Sequence, residues 1–322
     1  SAVRERTMVR RGERPRRQDT VLTFAELLRI VFTGRSYAGA METAFADVTV
    51  AVDASDEAQR GIEFAIALGR KGAHVHFCSV VDPALTYVAA GGVGGPTDMS
   101  DTLAAMEAEA RTVCATAVTT ARAHGVVADS QVMFGSVGQE IGRYVFDRHS
   151  EALIIGTHAR TGVTRAFFGS VAERLMQTSG IPVVVTHRDD VTGDGPIVVA
   201  IDDSPAAHAA LVAAVAEARA QRKTLSILAV VDRDSDEWLA AEPVLEDAGD
   251  HAREAGIDFE LVTLEGKAVD TIVACAERLR SPLIFVGTHG RSDLARLVLG
   301  SVAAGVVERA RMPVTVIRAA IA

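Results

Sequence analysis

Gly287-Thr-His-Gly-Arg291, continued by Leu299-Gly300-Ser301, repeats a stretch already met as Gly156-Thr-His-Ala-Arg160 with Phe168-Gly169-Ser170. Gly156 and Gly287, Gly169 and Gly300, Gly135 and Gly266, and Pro182 and Pro313 are all 131 positions apart. Four anchors at one offset imply a duplicated unit. Upstream, Val50-Ala-Val-Asp53-Ala-Ser55 answers to Val199-Ala-Ile-Asp202-Asp-Ser204 at an offset of 149. The first copy is therefore expected to be longer between its second strand and next helix, near Pro83 to Ser100.

A chain of 322 residues predicts two domains of about 150 residues each, which agrees with the repeat period. With 48% apolar and only 5% aromatic residues, the usage is that of a Val/Ala/Leu-rich α/β protein able to bury a core in each half. The net charge of −9 is uneven: residues 1–40 hold nine Arg against four acids, leaving −14 on the rest. So acidic a body argues against long nucleic-acid contacts, while a nucleotide can still be held through backbone N–H groups. No apolar run reaches membrane-spanning length. Val21 to Phe32 is interrupted by Glu26 and Arg29 and has no persuasive cleavage site, so no export is expected and the location expected is cytoplasmic. Cys78, Cys114 and Cys275 form no C-x-x-C pair and sit in apolar stretches, as buried free thiols do.

The expected organisation is a basic, disordered extension over 1–40, a first domain over 41–190 and a second over 191–322. The linker Arg188 to Pro196 is short and rich in turn residues. In each copy, short β-branched runs alternate with helical stretches, the signature of βαβ units. Strands are predicted at 47–52, 74–81, 128–133, 152–156 and 182–187, and again at 196–201, 224–231, 258–264, 282–287 and 313–318. Ser55 and Ser204 are predicted helix caps, Pro205 a first helical residue, and Ser136 with Gln139 a capping box. Gly91 to Pro96 is predicted to be a mobile surface loop ahead of a helix near Thr102.

In both copies a strand ends at the first glycine, a loop follows, and Gly169-Ser170 or Gly300-Ser301 opens a helix. Free N–H groups and the helix dipole then converge on one point that attracts phosphate. Asp53 and Asp202 end the first strands, beside the switch point of a doubly wound sheet, where a carboxylate can accept from a ribose hydroxyl. The same residues also suit a turn or helix cap.

The spaced motif Gly287, Gly290, Gly300 and Ser301, with a V-x-V-D-type strand upstream, resembles that of the nucleotide-binding universal stress proteins. The first copy departs from it by placing Ala159 where the second glycine belongs, which puts its binding in question if that position needs positive φ. The resemblance covers residues 45–188 and 195–319. It implies two tandem doubly wound parallel five-stranded sheets, order 3-2-1-4-5, of the adenine nucleotide alpha hydrolase-like type, and a role in the stress response. It also implies a bound adenine nucleotide, ATP or else ADP or AMP, with Mg accompanying ATP. Asp53 and Asp202 would hold ribose, and the backbone at Val80 and Val230 adenine. Gly156, Arg160, Gly169, Ser170 and Val171, with Gly287, Gly290, Arg291, Gly300, Ser301 and Val302, would hold the phosphates. The last strands, Val183 to His187 and Val314 to Arg318, would pair at an edge, within an intramolecular pseudo-dimer or between chains of a homodimer. The alternative is a dimerising interaction scaffold without nucleotide.

Other signals carry less. Gly266-Lys267 lacks the remaining residues of a P-loop, since Leu261 and Ala268 stand where that motif needs Gly and Ser or Thr. His74 and His76 alternate on a strand and could share a face, yet the sequence offers no third ligand, so no metal site is assigned. His158 and His289 fall in the phosphate loops. No nucleophile with a nearby base emerges, so no dedicated enzyme activity is expected, only slow incidental ATP hydrolysis at most.

Overall fold

The computed structural model describes residues 44–84, 96–157, 170–187, 190, 193–232, 237–288 and 299–319. The chain divides into two compact units, one of Phe45–Ser179 with Val183–Arg188 and one built mainly of Asp189–Ala322. The predicted 1–40 extension lies outside the described residues, as does most of the Gly91 to Pro96 loop.

The first unit runs β1 (Asp47–Ala51), α1 (Asp56–Gly69), β2 (His74–Val81), α2 (Pro96–Ala123), β3 (Ala128–Phe134), α3 (Val137–Asp147), β4 (Ala152–Thr157), α4 (Ser170–Thr178) and β5 (Val183–His187). The second runs β6 (Ile197–Ala200), α5 (Pro205–Gln221), β7 (Leu225–Val231), α6 (Glu237–Glu254), β8 (Phe259–Glu265), α7 (Ala268–Arg278), β9 (Ile284–Gly287), α8 (Ser301–Arg309) and β10 (Val314–Ile317). Pairing is parallel, in the order β3-β2-β1-β4-β5 and β8-β7-β6-β9-β10. All ten predicted strands are present, and the order is the one the resemblance implied.

Composition follows position in the sheet. The Val-rich run of β5 is buried at every residue, as a strand covered on both faces must be. The edge strands β3 and β8 instead mix apolar residues with Asp129, Gln131, Glu260 and Glu265, which blunt their open sides. Phe77, Leu153, Ile227 and Phe285 are fully buried, each worth roughly 1.5–3 kcal/mol against exposure. The Ala-rich α5 is buried around most of its circumference and packs on β6, β9 and β10.

The duplication reaches the backbone. Gly125 and Gly256, Gly135 and Gly266, and the non-glycine pair His149 and Arg280 all adopt positive φ at corresponding positions. At the helix starts, Ala58 N–H donates to Ser55 Oγ at 3.3 Å and Ala207 N–H to Ser204 Oγ at 3.2 Å, so both predicted caps form. The capping box at Ser136 does not: its side chain makes no cap bond. The Ser136 carbonyl accepts from both Gln139 and Glu140 N–H at 3.0 and 2.9 Å, so the backbone itself closes that turn. The second copy has Lys267 at the equivalent cap, again without a side-chain bond, so no hydroxyl is needed there.

Candidate nucleotide site

Among the described residues, each unit leaves a backbone edge open beyond the end of its first strand. Polar groups alternate sides along a strand. Cys78 accepts from Val52 N–H at 2.8 Å on the β1 side, while Val81 accepts from Gly135 N–H at 3.0 Å on the β3 side. Two residues beyond Cys78, Val80 therefore turns its N–H and C=O toward β1, past Ala51 where β1 ends. In the second unit Leu228 accepts from Ile201 N–H at 2.9 Å and Val231 from Gly266 N–H at 3.1 Å. Val230 accordingly faces the space beyond the end of β6. This is the carboxyl-end crevice at the switch point, where open α/β sheets take ligands.

Asp53 and Asp202 stand at the mouth of these crevices. Ser55 N–H donates to Asp53 Oδ1 at 3.0 Å, the Ser55 hydroxyl is also bonded to it, and Ser204 N–H donates to Asp202 Oδ1 at 3.0 Å. Both carboxylates thus brace the turn into the next helix and keep lone pairs for another donor. Asp202 lines a cavity of about 350 Å³ together with Ile201, Ser204, His208, Pro243 and Asp247.

Gly156, next to last in β4, and Gly287, last in β9, lie under the first turns of α1 and α5. A Cβ at Gly287 would lie 2.6 Å from the Ala206 carbonyl carbon and 2.7 Å from Ala207 N; one at Gly156 would lie 2.4 Å from Glu57 O. The chain's own backbone takes the space, so packing alone accounts for both glycines.

The helix starts divide into two kinds. Whereas α1 and α5 are capped by serine, α8 begins after Gly300 with no side-chain cap. Gly300 N–H is anchored on Thr288 O at 2.7 Å, and Ser301 and Val302 are exposed in the first turn. An uncapped start of this kind presents N–H groups to an anion. Ser170 and Val171 open α4 in the same place in the first unit. Arg160, Gly169, Gly290 and Arg291, with His158, Ala159 and His289, lie outside the described residues.

The structure corrects the view that His74 and His76 lack further ligands. Their rings lie 4.2 Å apart, and Asp47 from β1 and Asp129 from β3 join them. His76 Nδ1 is 2.9 Å from Asp129 Oδ1 and Nε2 is 3.3 Å from Asp47 Oδ1. Arg148 donates to both Asp129 oxygens at 2.7 and 2.6 Å and also meets His76. That guanidinium already supplies the cation, and the cluster sits at the amino ends of the strands, away from the crevice. We read it as an ion-pair network.

Burial would raise the Asp129 carboxyl, but hydrogen bonds with His76 and Arg148 hold it below its ordinary value. His74 is lowered, first by burial and then by His76. A group depressed in the folded state contributes stability above its unfolded pKa and loses it as pH falls through the folded one. Stability of the first unit is therefore expected to decline below the ordinary values of 6.5 for His74 and 3.8 for Asp129. In urea titrations across pH, Asp129→Asn should flatten the lower step; an unchanged profile would remove the network as its source. The three cysteines are buried free thiols, as expected, and burial pushes Cys114 up to about 11, far from nucleophilic.

Similarity to known proteins converges with this geometry. The family model described as "Universal stress protein family" matches residues 45–187 and again 195–318. A universal stress protein of Mycobacterium tuberculosis is 30% identical over 198 residues, 52% of this chain and 62% of that protein's length. The match thus spans less than two thirds of that relative. A universal stress protein of Bacillus subtilis is 32% identical over 144 residues, 38% of this chain and 97% of its own. Among solved structures, a universal stress protein from Archaeoglobus fulgidus superposes with a TM-score of 0.68 at 20% identity, covering 85% of this chain and 99% of its own, a likeness of fold. Among the described residues no helix is long and apolar enough to cross a membrane.

Proposed function

From the premise that the chain belongs to the universal stress protein family in both of its units, we propose that it binds ATP or a related adenine nucleotide. Occupancy would then set its stability and partner contacts in a cytoplasmic stress response. The observation that carries this is the open backbone edge at Val230 beyond the end of β6, beside Asp202 and its cavity. One N–H and one C=O on a single residue match the donor and acceptor edge of adenine. Asp202 accepts from ribose, and the uncapped start of α8 receives phosphate, with or without Mg. The first unit repeats the edge at Val80 and the carboxylate at Asp53. A ligand present at 100 times its dissociation constant would stabilise the bound fold by about 2.7 kcal/mol, enough for a sensor that works by stability. We assign no dedicated catalysis, so bound ATP should be recovered intact.

Equilibrium titration of the full chain with ATP tests the proposal. Saturable binding is expected, and Asp202→Ala should weaken it by about 1.5 kcal/mol or more, roughly tenfold, as loss of a hydrogen bond to a charged group does. Absence of saturable binding, or an affinity untouched by Asp202→Ala, would reject the site. A second reading, an interaction scaffold without nucleotide, is favoured in the first unit by Asp53, which already bonds both the N–H and the hydroxyl of Ser55. Mass spectrometry of small molecules released from the purified protein separates the two, since a scaffold releases no nucleotide.

A further inference from the structure

We propose that His208, Asp247 and His251 form a divalent transition-metal site of the zinc class in the second unit. His208 lies in the first turns of α5, while Asp247 and His251 are one turn apart on α6, hence on one face. The two helices pack together. That packing brings a ligand atom from each residue within 4.8 Å of the other two. The imidazole rings meet edge to face with centroids 5.0 Å apart.

The state of His251 points to an ion. The residue is only 6% exposed, and its Nδ1 lies 2.9 Å from the Asp247 backbone carbonyl, which can only accept. Nδ1 is therefore the donor of that bond, and Nε2 is the ring nitrogen left for another partner. That Nε2 is buried with no hydrogen-bond partner among the described residues. An imidazole with one nitrogen fixed by a carbonyl and the other left without a partner is how histidines are prepared as metal ligands. The Asp247 carboxylate stands 3.8 Å from His251 Nδ1 on a mostly exposed side chain with room to turn toward an ion.

Two imidazoles and one carboxylate suit zinc or a neighbouring first-row ion rather than Mg or Ca, which take oxygen ligands. They also leave a coordination position open. His208 and Asp247 both line the cavity that contains Asp202, so the open position is placed for a water or an anionic group entering there. The first unit has no counterpart, because Gln59 stands at the position corresponding to His208. The inference does not rest on nucleotide binding.

Tag-free full-length protein, stripped with chelator and free of nucleotide, is titrated calorimetrically with Zn²⁺. The expected result is about one equivalent bound with a dissociation constant of roughly 10 µM or tighter. His208→Ala should weaken uptake by at least about tenfold while the circular dichroism spectrum and Tm confirm folding. Asp247→Asn, on an exposed side chain, gives a second variant if His208→Ala fails to fold. Co²⁺ in place of Zn²⁺ should give weak visible bands of nitrogen and oxygen ligation. No stoichiometric uptake, uptake unchanged in His208→Ala, or intense thiolate-to-Co²⁺ bands would each overturn the site. Because nucleotide is absent throughout, failure here is distinct from failure of the ATP titration.

Discussion

Gly287→Ala is expected to destabilise the second unit by about 3 kcal/mol, at the upper end of overpacking penalties, because a single methyl would meet backbone and not a side chain that can turn away. The carbonyl carbon of Ala206 and the nitrogen of Ala207, at 2.6 and 2.7 Å from the added carbon, belong to the first turn of α5. Relief requires α5 to lift from β9, and α5 is among the most thoroughly buried helices of the unit. Displacing it would also move Ser204 and Asp202, so stability and ligand binding should fall together. Gly142→Ala is the control: it sits in α3 with nothing within 4 Å of an added Cβ, and should gain about 0.5–1 kcal/mol from helix propensity. Urea denaturation of the full chain resolves the contrast. A Gly287→Ala loss below about 1 kcal/mol would show that the strand end can yield and that packing does not explain this glycine.

That result bears on how far the sequence could be read. The constant offset of Gly135, Gly156 and Pro182 from their partners made the duplication visible, because those residues mark backbone geometry that side-chain drift cannot erase. His149 and Arg280 show the same geometry without the glycine signal, both left-handed at φ 53°, and so pass unnoticed in the sequence. The first and second strands of each copy were legible from their short β-branched runs. The Asp47, His74, His76 and Asp129 network was not, since its contacts join side chains 29, 53 and, through Arg148, 72 positions apart in the chain. The cluster of His208, Asp247 and His251 depends on how α5 and α6 are set in rotation. Its one sequence signal is the spacing of Asp247 and His251 on a helix. At Gly156 and Gly287 the space a Cβ would take is filled by the backbone of the protein's own helices, α1 and α5. Gly300 differs, since it precedes α8 as a cap position without a side chain.

Gly300→Asp turns that difference into a measurement in which stability and binding part company. Gly300 has φ −59° and ψ 148°, an extended conformation that an aspartate adopts without strain. Its carboxylate could accept from the first-turn N–H groups of α8, as Ser204 Oγ does for α5, and its charge suits the positive end of the helix. Folding stability should therefore hold or rise by a few tenths of a kcal/mol. Nucleotide affinity should fall about 100-fold, some 2.7 kcal/mol, because the new carboxylate takes the N–H groups and repels the phosphates they would bind. Thermal melts without ligand give the first quantity and ATP titration the second. If affinity is unchanged while the fold holds, the phosphates do not lie at the start of α8. If affinity falls only in step with stability, Gly300 matters to the fold and carries no ligand. Loss of binding in a protein at least as stable as the wild type is the outcome that an N-terminal phosphate site alone accounts for.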